Sequence, residues 1–189
     1  MRIGVLAVQG AFIEHERMLE GLGAECVELR QRRDIEGLDG LVLPGGESTA
    51  QGRMLRELGM FEPLRQEIEQ GLPVLATCAG LILLADRLAN DPVRHFGTLP
   101  VTVRRNAYGR QLGSFETVAP VKGLGDFRMT FIRAPYVESA AEGVETLAVV
   151  DGKTVGVRFG NQIGLAFHPE LGSDSRLHQM FLDLVKARA

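Results

Sequence analysis

The 189-residue chain is 45% hydrophobic and 24% charged, and its formal net charge of −3 leaves no basic excess. This balance is typical of a globular protein, and it argues against binding to nucleic acid or to anionic membranes, both of which favour a basic face. No apolar run reaches the roughly 20 residues that span a bilayer. The two cysteines form neither a disulfide framework nor a CxxC metal motif, so we expect a cytoplasmic protein without metal or cofactor.

The first half of the chain alternates strand and helix patterns. Short apolar runs, typical of parallel strands buried on both faces, cover residues 3–8, 26–29, 41–43 and 73–77. Helical patterns cover residues 11–21 and 79–88, and a further helix is expected to begin at Ser48. There, Ser48 and Gln51 fit a capping box with Ser48 as the N-cap. The alternation predicts a parallel sheet with helices on both faces.

The second half is rich in β-branched residues and glycine turns, which predicts antiparallel strands. The strand patterns cover residues 98–104, 114–118, 129–132, 146–150 and 154–159, and Asp151-Gly152 is a hairpin signal. After a last run at 163–167, a terminal helix is expected from about Asp174, with Ser173 as its cap. We therefore predict one domain over residues 1–189. Its fold is predicted to be an α/β three-layer sandwich, with a mixed, mostly parallel sheet flanked by helices.

Cys78 lies between the strand and helix patterns of the segment VLATCAGLILLADRL at residues 74–88. A residue in a sharp strand-to-helix turn projects its side chain above the sheet edge, as in the nucleophile elbow of hydrolases. The N-terminus of the following helix favours a thiolate, which raises the reactivity of a cysteine. The alternative is a buried structural thiol, because free cysteine is among the most buried residue types. The segment alone leaves both interpretations open.

His168, Pro169 and Glu170 follow the last strand pattern. On an extended segment, which Pro169 is expected to maintain, residues i and i+2 face the same way. Glu170 could then orient the imidazole of His168 while His168 takes a proton from Cys78. The alternative is an ordinary loop with a solvated acid.

The other histidines carry weaker signals. His15, beside Glu14 on the first predicted helix, is a candidate second base, although a lone helical histidine is more typical of a structural role or a partner surface. His95 and His178 have no companions in the sequence that indicate chemistry.

The loop Pro44-Gly45-Gly46-Glu47-Ser48 follows the third strand pattern. Adjacent glycines permit positive φ and a close approach of backbone N–H groups to a ligand. The phosphate-loop pattern GxxxxGK[ST] is absent, so an amide or carboxylate ligand is favoured over a nucleotide, unless the loop is only a tight turn. Because ligands of open α/β sheets bind at the carboxyl ends of strands, this loop, Gln9 and Cys78 are expected to lie together.

Six segments occur in an order that one family shares: VLAVQGAFIEH, LPGGEST, TCAGLILLA, RRNAYGRQLGSFE, FIRAP and AFHPEL. On these segments the chain resembles class I glutamine amidotransferases, and more narrowly the glutaminase subunits of pyridoxal 5′-phosphate synthase. RNAYGRQ and FIRAP separate this group from other class I amidotransferases. The resemblance implies the flavodoxin-like α/β fold of that class. One departure is Ala76, which stands where the family commonly has glycine and where a methyl group is expected to crowd the elbow slightly.

The resemblance also implies a reaction and its residues. Cys78 attacks the side-chain amide of L-glutamine, forming a γ-glutamyl thioester and releasing ammonia, and His168 and Glu170 complete the triad. The implied oxyanion donors are Gly46 and Ala79, with Gln9 in support. The implied glutamine-binding residues are Gly46, Glu47, Ser48, Arg105, Ile132 and Arg133. An arginine suits a carboxylate and a glutamate suits an ammonium group. Without the family, Arg105 and Arg133 would be interpreted as solvated strand residues.

The resemblance implies a protein partner as well. Free ammonia is mostly protonated at neutral pH, and the chain has no cofactor or phosphate motif with which to consume it. The family delivers ammonia to a separate synthase subunit, a dodecameric ring that makes pyridoxal 5′-phosphate from sugar phosphates. Neither nucleic acid nor a membrane is an expected partner. Two alternatives remain at this point: a stand-alone α/β cysteine hydrolase or peptidase, and a non-enzymatic thiol redox sensor.

Overall fold

The structure, a computed structural model, describes residues 1–105 and 113–188. Residues 106–112, which include most of the RNAYGRQ motif, and residue 189 lie outside the described residues. The strands within these ranges are Arg2–Leu6 (β1), Glu25–Leu29 (β2), Gly40–Leu43 (β3), Val74–Thr77 (β4), Ala85–Leu88 (β5), Leu99–Arg104 (β6), Ser114–Val121 (β7), Gly125–Ile132 (β8), Tyr136–Ala140 (β9), Glu145–Val150 (β10), Lys153–Phe159 (β11) and Gln162–Leu165 (β12). The α-helices are Phe12–Gly21 (α1), Ser48–Glu57 (α2), Phe61–Glu69 (α3), Ala79–Leu84 (α4) and Arg176–Arg188 (α5), and short 3₁₀ helices cover Arg32–Ile35 and Pro169–Leu171.

Ten of the described strands form one mixed sheet in the order β2-β1-β3-β4-β12-β11-β9-β6-β5, and β10 pairs with β11. The five strands from β2 to β12 run parallel to one another. The strand β11 is antiparallel to its three neighbours β9, β10 and β12. The strands β7 and β8 form a separate antiparallel pair. The predicted mixed α/β sheet is therefore confirmed.

Helices cover both faces of this sheet. The connection from β1 to β2 runs toward one edge of the sheet, and the connection from β3 to β4 runs toward the other edge. Because both crossovers are right-handed, α1 lies on one face of the sheet and α2 and α3 lie on the opposite face. The helix contacts agree, because α1 contacts α5 whereas α2 contacts α3 and α4. The terminal helix packs closely on β3: a Cβ atom at Gly40 would lie only 2.9 Å from Phe181 Cζ. None of the described helices has the length and apolar character needed to cross a membrane.

Two predicted helix boundaries are wrong. The helix expected over residues 79–88 ends at Leu84, and Ala85–Leu88 is a strand, because it pairs with β6. The terminal helix begins at Arg176, where the Asp174 carboxylate accepts a hydrogen bond from the Arg176 N–H (3.1 Å), so Ser173 is not its cap. The Asp151-Gly152 hairpin is confirmed: both residues have positive φ, and Val150 pairs with Lys153 across the turn.

The sheet topology places the loops that carry chemistry at one edge. The strands β1, β3, β4 and β12 are parallel neighbours, so their carboxyl ends meet at the same edge of the sheet. Gln9 follows β1, the 44–48 loop follows β3, Cys78 follows β4 and His168 follows β12. The expected convergence of these segments is therefore present in the fold.

Candidate active site

Cys78 is the one residue between β4 and α4, in the strand-to-helix turn that the sequence predicts. Its backbone has φ +49° and ψ −101°, a conformation that costs a non-glycine residue about 1–3 kcal/mol. Two backbone hydrogen bonds hold this strained residue in place. Its N–H donates to the carbonyl of Leu165 (2.8 Å), and its carbonyl accepts from the N–H of Ile82 (3.3 Å).

Small residues let the turn sit close to the sheet. A Cβ atom at Gly80 would lie 2.1 Å from the carbonyl oxygen of Leu43, so only glycine fits at the second position of α4. Ala76 is fully buried in β4, and its parallel partners are Leu43 and Gly164. Because partners in a parallel pair face the same side, the Ala76 methyl group lies beside a residue without a side chain.

The side chains of Cys78, His168 and Glu170 lie together. The His168 Nδ1 atom lies 2.7 Å from Glu170 Oε1, and Cys78 is near enough to the imidazole to raise its pKa. All three residues are buried. The 168–170 segment was expected to be extended because of Pro169. That expectation is wrong, because the segment enters a 3₁₀ helix over Pro169–Leu171. Proline fits the first position of a helix, where its missing N–H would have no partner in any case.

The charges of this series reinforce one another. Burial opposes protonation of His168, but its bonds to Cys78 and Glu170 and their charges outweigh burial and raise its pKa to about 10. Burial raises the pKa of Glu170, but the nearby His15 and His168 outweigh it and lower that pKa below its ordinary value. The site therefore favours a protonated His168 beside an ionised Glu170.

The imidazole of His168 lies directly against Gly45 of the Pro44–Ser48 loop. A Cβ atom at Gly45 would be 2.2 Å from His168 Cε1 and 2.8 Å from Nδ1. The carbonyl of Gly45 also accepts a hydrogen bond from the Ala11 N–H (3.0 Å). Gly45 thus supplies a surface without a side chain on which the histidine rests.

A pocket of about 400 Å³ opens in front of Cys78. Every residue that the resemblance implicates, apart from Glu170, lines it, and Glu170 lies behind His168. The lining residues are Gln9, Ala11, Gly45, Gly46, Glu47, Ser48, Cys78, Ala79, Ile82, Arg105, Ile132, Arg133 and His168. The structure therefore brings together all the site residues predicted from the sequence.

Opposite charges face each other at one side of this pocket. Arg105 Nη1 lies 2.8 Å from Asp91 Oδ2, and its Nη2 lies 3.5 Å from Glu47 Oε1. Arg105 is therefore half-buried and paired with two carboxylates, rather than freely solvated. Arg133 is exposed at the pocket and has φ +44°, a positive value that is unusual for a residue with a side chain. No pattern in the sequence indicated Asp91 as a residue of the site.

Glu47 also caps α2. Its carboxylate accepts hydrogen bonds from the N–H groups of Thr49 (3.0 Å) and Ala50 (2.7 Å), so the N-cap is Glu47 and the predicted Ser48 capping box is wrong. Burial raises the pKa of Glu47, but these backbone bonds and the charge of Arg105 lower it below its ordinary value. Gln51 bonds elsewhere, because its Nε2 donates to the carbonyl of Gln9 (3.0 Å).

Gln9 is joined to the glycine-rich loop through its side chain. Its Oε1 accepts a hydrogen bond from the N–H of Glu47 (2.8 Å). A Cβ atom at Gly46, which has φ +157°, would lie 2.3 Å from the same Oε1. The Gln9 amide thus contacts the stretch of backbone from which one implied oxyanion donor comes.

Three buried side chains, those of His15, Thr77 and His178, lie behind Glu170, a contact that the sequence did not predict. His15 Nε2 lies 3.5 Å from Glu170 Oε2 and 3.2 Å from Thr77 Oγ1, and His15 Nδ1 lies 2.9 Å from His178 Nε2. His15 is fully buried, so the alternative that places it at a partner surface is wrong. The sequence feature that could have indicated the burial of His178 is the apolar stripe of α5, which it shares with Phe181, Leu182 and Val185.

The second cysteine has a different environment. Burial, followed by the charges of Glu20 and Glu16, raises the pKa of Cys26 to about 12. Its thiol is therefore uncharged and weakly nucleophilic at neutral pH. Over residues 1–105 and 113–188, no group of three or more His, Cys, Asp or Glu side chains is arranged to hold a metal ion.

Comparison with known proteins identifies close relatives along the full chain. The subunit named "Pyridoxal 5'-phosphate synthase subunit PdxT" of Desulfitobacterium hafniense strain Y51 is 68% identical over 98% of this chain and 94% of its own. The protein of the same name from Methanocorpusculum labreanum is 54% identical over 98% of both chains. A crystal structure described as a glutamine amidotransferase superposes with a TM-score of 0.93 at 46% identity, over 97% of this chain and 98% of that one.

A model of the SNO glutamine amidotransferase family matches residues 5–187. This range contains Cys78, His168 and Glu170 together with all of the pocket residues. The chain belongs to the SNO glutamine amidotransferase family.

Proposed function

We propose that this chain is the glutaminase subunit of a pyridoxal 5′-phosphate synthase, and that residues 1–189 form one glutaminase domain. It hydrolyses L-glutamine to L-glutamate and passes the ammonia to a synthase subunit. The observation that carries the proposal is the buried series Cys78, His168 and Glu170, of which Cys78 and His168 line a pocket that also presents Arg105 and Glu47. The relatives named as synthase subunits, up to 68% identical, support the assignment to this pathway.

In the first half of the proposed reaction, the Cys78 sulfur forms a bond to the side-chain amide carbon of glutamine. His168 carries the proton taken from the thiol, a state that fits its raised pKa. When the tetrahedral intermediate collapses, the C–N bond breaks and His168 donates that proton to the leaving nitrogen, which departs as ammonia. The product on the enzyme is a γ-glutamyl thioester of Cys78.

Water completes the cycle. His168 takes a proton from a water molecule, whose oxygen attacks the thioester carbon, and the C–S bond breaks to release glutamate and regenerate the thiolate. Glu170 stabilises the imidazolium form of His168 in both halves. Backbone N–H groups of Gly46 and Ala79, with Gln9 in support, are the proposed donors to the oxyanion that forms on the amide oxygen.

The amino-acid end of glutamine requires groups of both signs. Arg105 suits the α-carboxylate and Glu47 the α-ammonium group, and both line the pocket at which Cys78 opens. Gly46, Ser48, Ile132 and Arg133 complete the proposed glutamine-binding set.

The partner in this proposal is a synthase subunit, assembled as a dodecameric core on which the glutaminase docks. Neither nucleic acid nor a membrane takes part. Both cysteines are free thiols, which fits a reducing compartment, and we assign the complex to the cytoplasm.

The test measures glutamate formed from glutamine by the purified chain, with and without the synthase subunit. We expect turnover in the presence of the synthase, loss of at least about a thousandfold in Cys78→Ala, and full activity in the matched variant Cys26→Ala. Equal turnover without the synthase would instead support a stand-alone hydrolase. Full activity of Cys78→Ala would exclude the proposed nucleophile and leave a redox-sensing thiol.

A further inference from the structure

A row of buried polar side chains continues from the triad through the protein to the terminal helix. Glu170 Oε1 is bonded to His168, and its second oxygen, Oε2, lies 3.5 Å from His15 Nε2 on α1. The other nitrogen of His15, Nδ1, lies 2.9 Å from Nε2 of His178 on α5. His15 and His178 are both fully buried.

His15 Nε2 faces two oxygens. Thr77 Oγ1, at 3.2 Å, is its hydrogen-bond partner, and Glu170 Oε2, at 3.5 Å, has no hydrogen-bond partner among the described residues. Because a carboxylate oxygen only accepts hydrogen bonds, we assign the proton of a neutral His15 to Nε2, between these two oxygens. A neutral His15 then has a bare Nδ1, which accepts a hydrogen bond from a protonated Nε2 of His178. The remaining nitrogen, His178 Nδ1, carries no proton and has no hydrogen-bond partner among the described residues, which fits this tautomer.

The charges around the pair favour two neutral rings. Burial lowers the pKa of His15, and the charge of His168 lowers it further, whereas the charges of Glu170 and Glu14 act in the opposite direction. Burial and the neighbouring His15 lower the pKa of His178 to about 3, opposed by Glu170. Both rings therefore hold one proton at neutral pH, and each proton points toward Glu170.

Two buried histidines are costly unless their nitrogens are bonded, and apolar side chains would fill the same space between α1 and α5 without that cost. We propose that His15 and His178 are positioning residues, which hold the second oxygen of the Glu170 carboxylate and thereby fix the His168 imidazole against Cys78. This proposal rests on the glutaminase function proposed above. Neither histidine touches the glutamine pocket, so both act through Glu170.

Paired substitutions test the role of the proton donor. His15→Met removes the donor at similar volume, whereas His15→Gln keeps an N–H group near the position of Nε2. With the synthase present, we expect His15→Met to lower kcat by about 10- to 100-fold, as for other partners that orient a functional histidine, with KM for glutamine within about twofold. His15→Gln is expected to recover most of kcat. Leu182→Ala is the control for destabilisation alone. Leu182 is a buried residue of α5 that does not belong to this row of polar side chains, so the variant should keep the wild-type kcat.

The variant pair His178→Met and His178→Gln repeats the comparison one bond further from the triad, and it provides the answer if His15→Met does not fold. Wild-type kcat in His15→Met, or in both folded methionine variants, would overturn the proposal. So would equal losses in the methionine and glutamine variants.

A second readout does not depend on turnover. Imidazole ¹⁵N NMR of the wild-type protein between pH 6 and 8 should show His15 and His178 neutral and protonated at Nε2. A positively charged His15, protonated at both nitrogens, would overturn the proposal even in an active enzyme. So would a neutral ring protonated at Nδ1, at either His15 or His178. If the wild type forms no glutamate, the glutaminase function fails while this spectrum still reports on the chain.

Discussion

Gly45 and His168 are in direct contact across the active site: a Cβ atom at Gly45 would lie 2.2 Å from Cε1 of the imidazole. The glycine is fixed in turn, because its carbonyl accepts a hydrogen bond from Ala11 at the start of α1. The loop after β3 therefore determines how far the imidazole can move from Cys78. No positive φ is recorded at Gly45, so the contact alone makes a side chain unacceptable there.

Gly45→Ala is expected to displace the His168 ring and lower kcat by about 100-fold, the loss typical of a 1 Å misplacement of a reacting group. The effect on KM for glutamine should be small, because the added methyl group contacts the histidine. The measurement is steady-state glutaminase activity with the synthase subunit present. Gly21→Ala at the end of α1 is the matched control: its Cβ would meet nothing within 4 Å, so activity should be unchanged. Equal kcat values in the two variants would contradict the assigned role of the contact.

Asp91 holds the Arg105 guanidinium at 2.8 Å, and Arg105 is the proposed ligand of the substrate carboxylate. Asp91→Ala should release the arginine and raise KM for glutamine about fivefold, which corresponds to roughly 1 kcal/mol of lost binding, with kcat unchanged. The control is Asp86→Ala, which removes the partner of the exposed Arg94 outside the pocket and should leave KM unchanged. An unchanged KM in Asp91→Ala would show that the aspartate does not position Arg105 for binding.

The sequence predicted the parallel core and the site well, because both depend on local patterns. The buried strands β1, β3 and β4 are continuous apolar runs, and each ends at a glycine-rich or small-residue turn that the sequence displays. Parallel pairing then brings those turns to one edge without further information. For this reason Cys78, His168 and the 44–48 loop were correctly expected to meet.

The errors lie where non-local contacts override local pattern. Ala85–Leu88 continues a helical apolar run in sequence, but pairing with β6 makes it a strand. The Ser48-x-x-Gln51 pattern fits a capping box, yet the Glu47 carboxylate accepts both N–H groups, while Gln51 bonds the backbone of the loop after β1. His15 and His178 are 163 residues apart, so only the packing of α1 against α5 brings them together.

The two cysteines should differ sharply toward a small alkylating reagent. Because the His168 pKa is raised to about 10, a positively charged imidazole should lie beside Cys78 at pH 7, and this charge should speed the reaction of the Cys78 sulfur. In His168→Ala the labelling rate of Cys78 at pH 7 should therefore fall by about tenfold or more. Mass spectrometry of the labelled protein gives both rates. Cys26, with a pKa of about 12, should remain unlabelled throughout. Equal labelling rates of Cys78 in the wild type and in His168→Ala would contradict this role of the imidazole.

The buried His178 should make folding sensitive to acid. An unfolded histidine binds its proton below about pH 6.5, whereas burial, assisted by His15 and opposed by Glu170, lowers the pKa of His178 in the folded protein to about 3. Between these two values the unfolded state binds more protons, so the free energy of unfolding falls as the pH falls. At pH 5 the loss from this group is about 2 kcal/mol.

His178→Gln removes the titrating group and keeps a polar side chain at the same place. Urea unfolding of wild type and variant at pH 7.5 and pH 5 isolates its effect, because His168 and Glu170 remain in both proteins and their contributions cancel in the comparison. We expect acidification to cost the variant about 2 kcal/mol less than the wild type. An equal loss in the two proteins would mean that His178 takes up a proton in the folded state. The neutral pair with His15 would then be excluded on thermodynamic grounds, independently of any measurement of glutamine turnover.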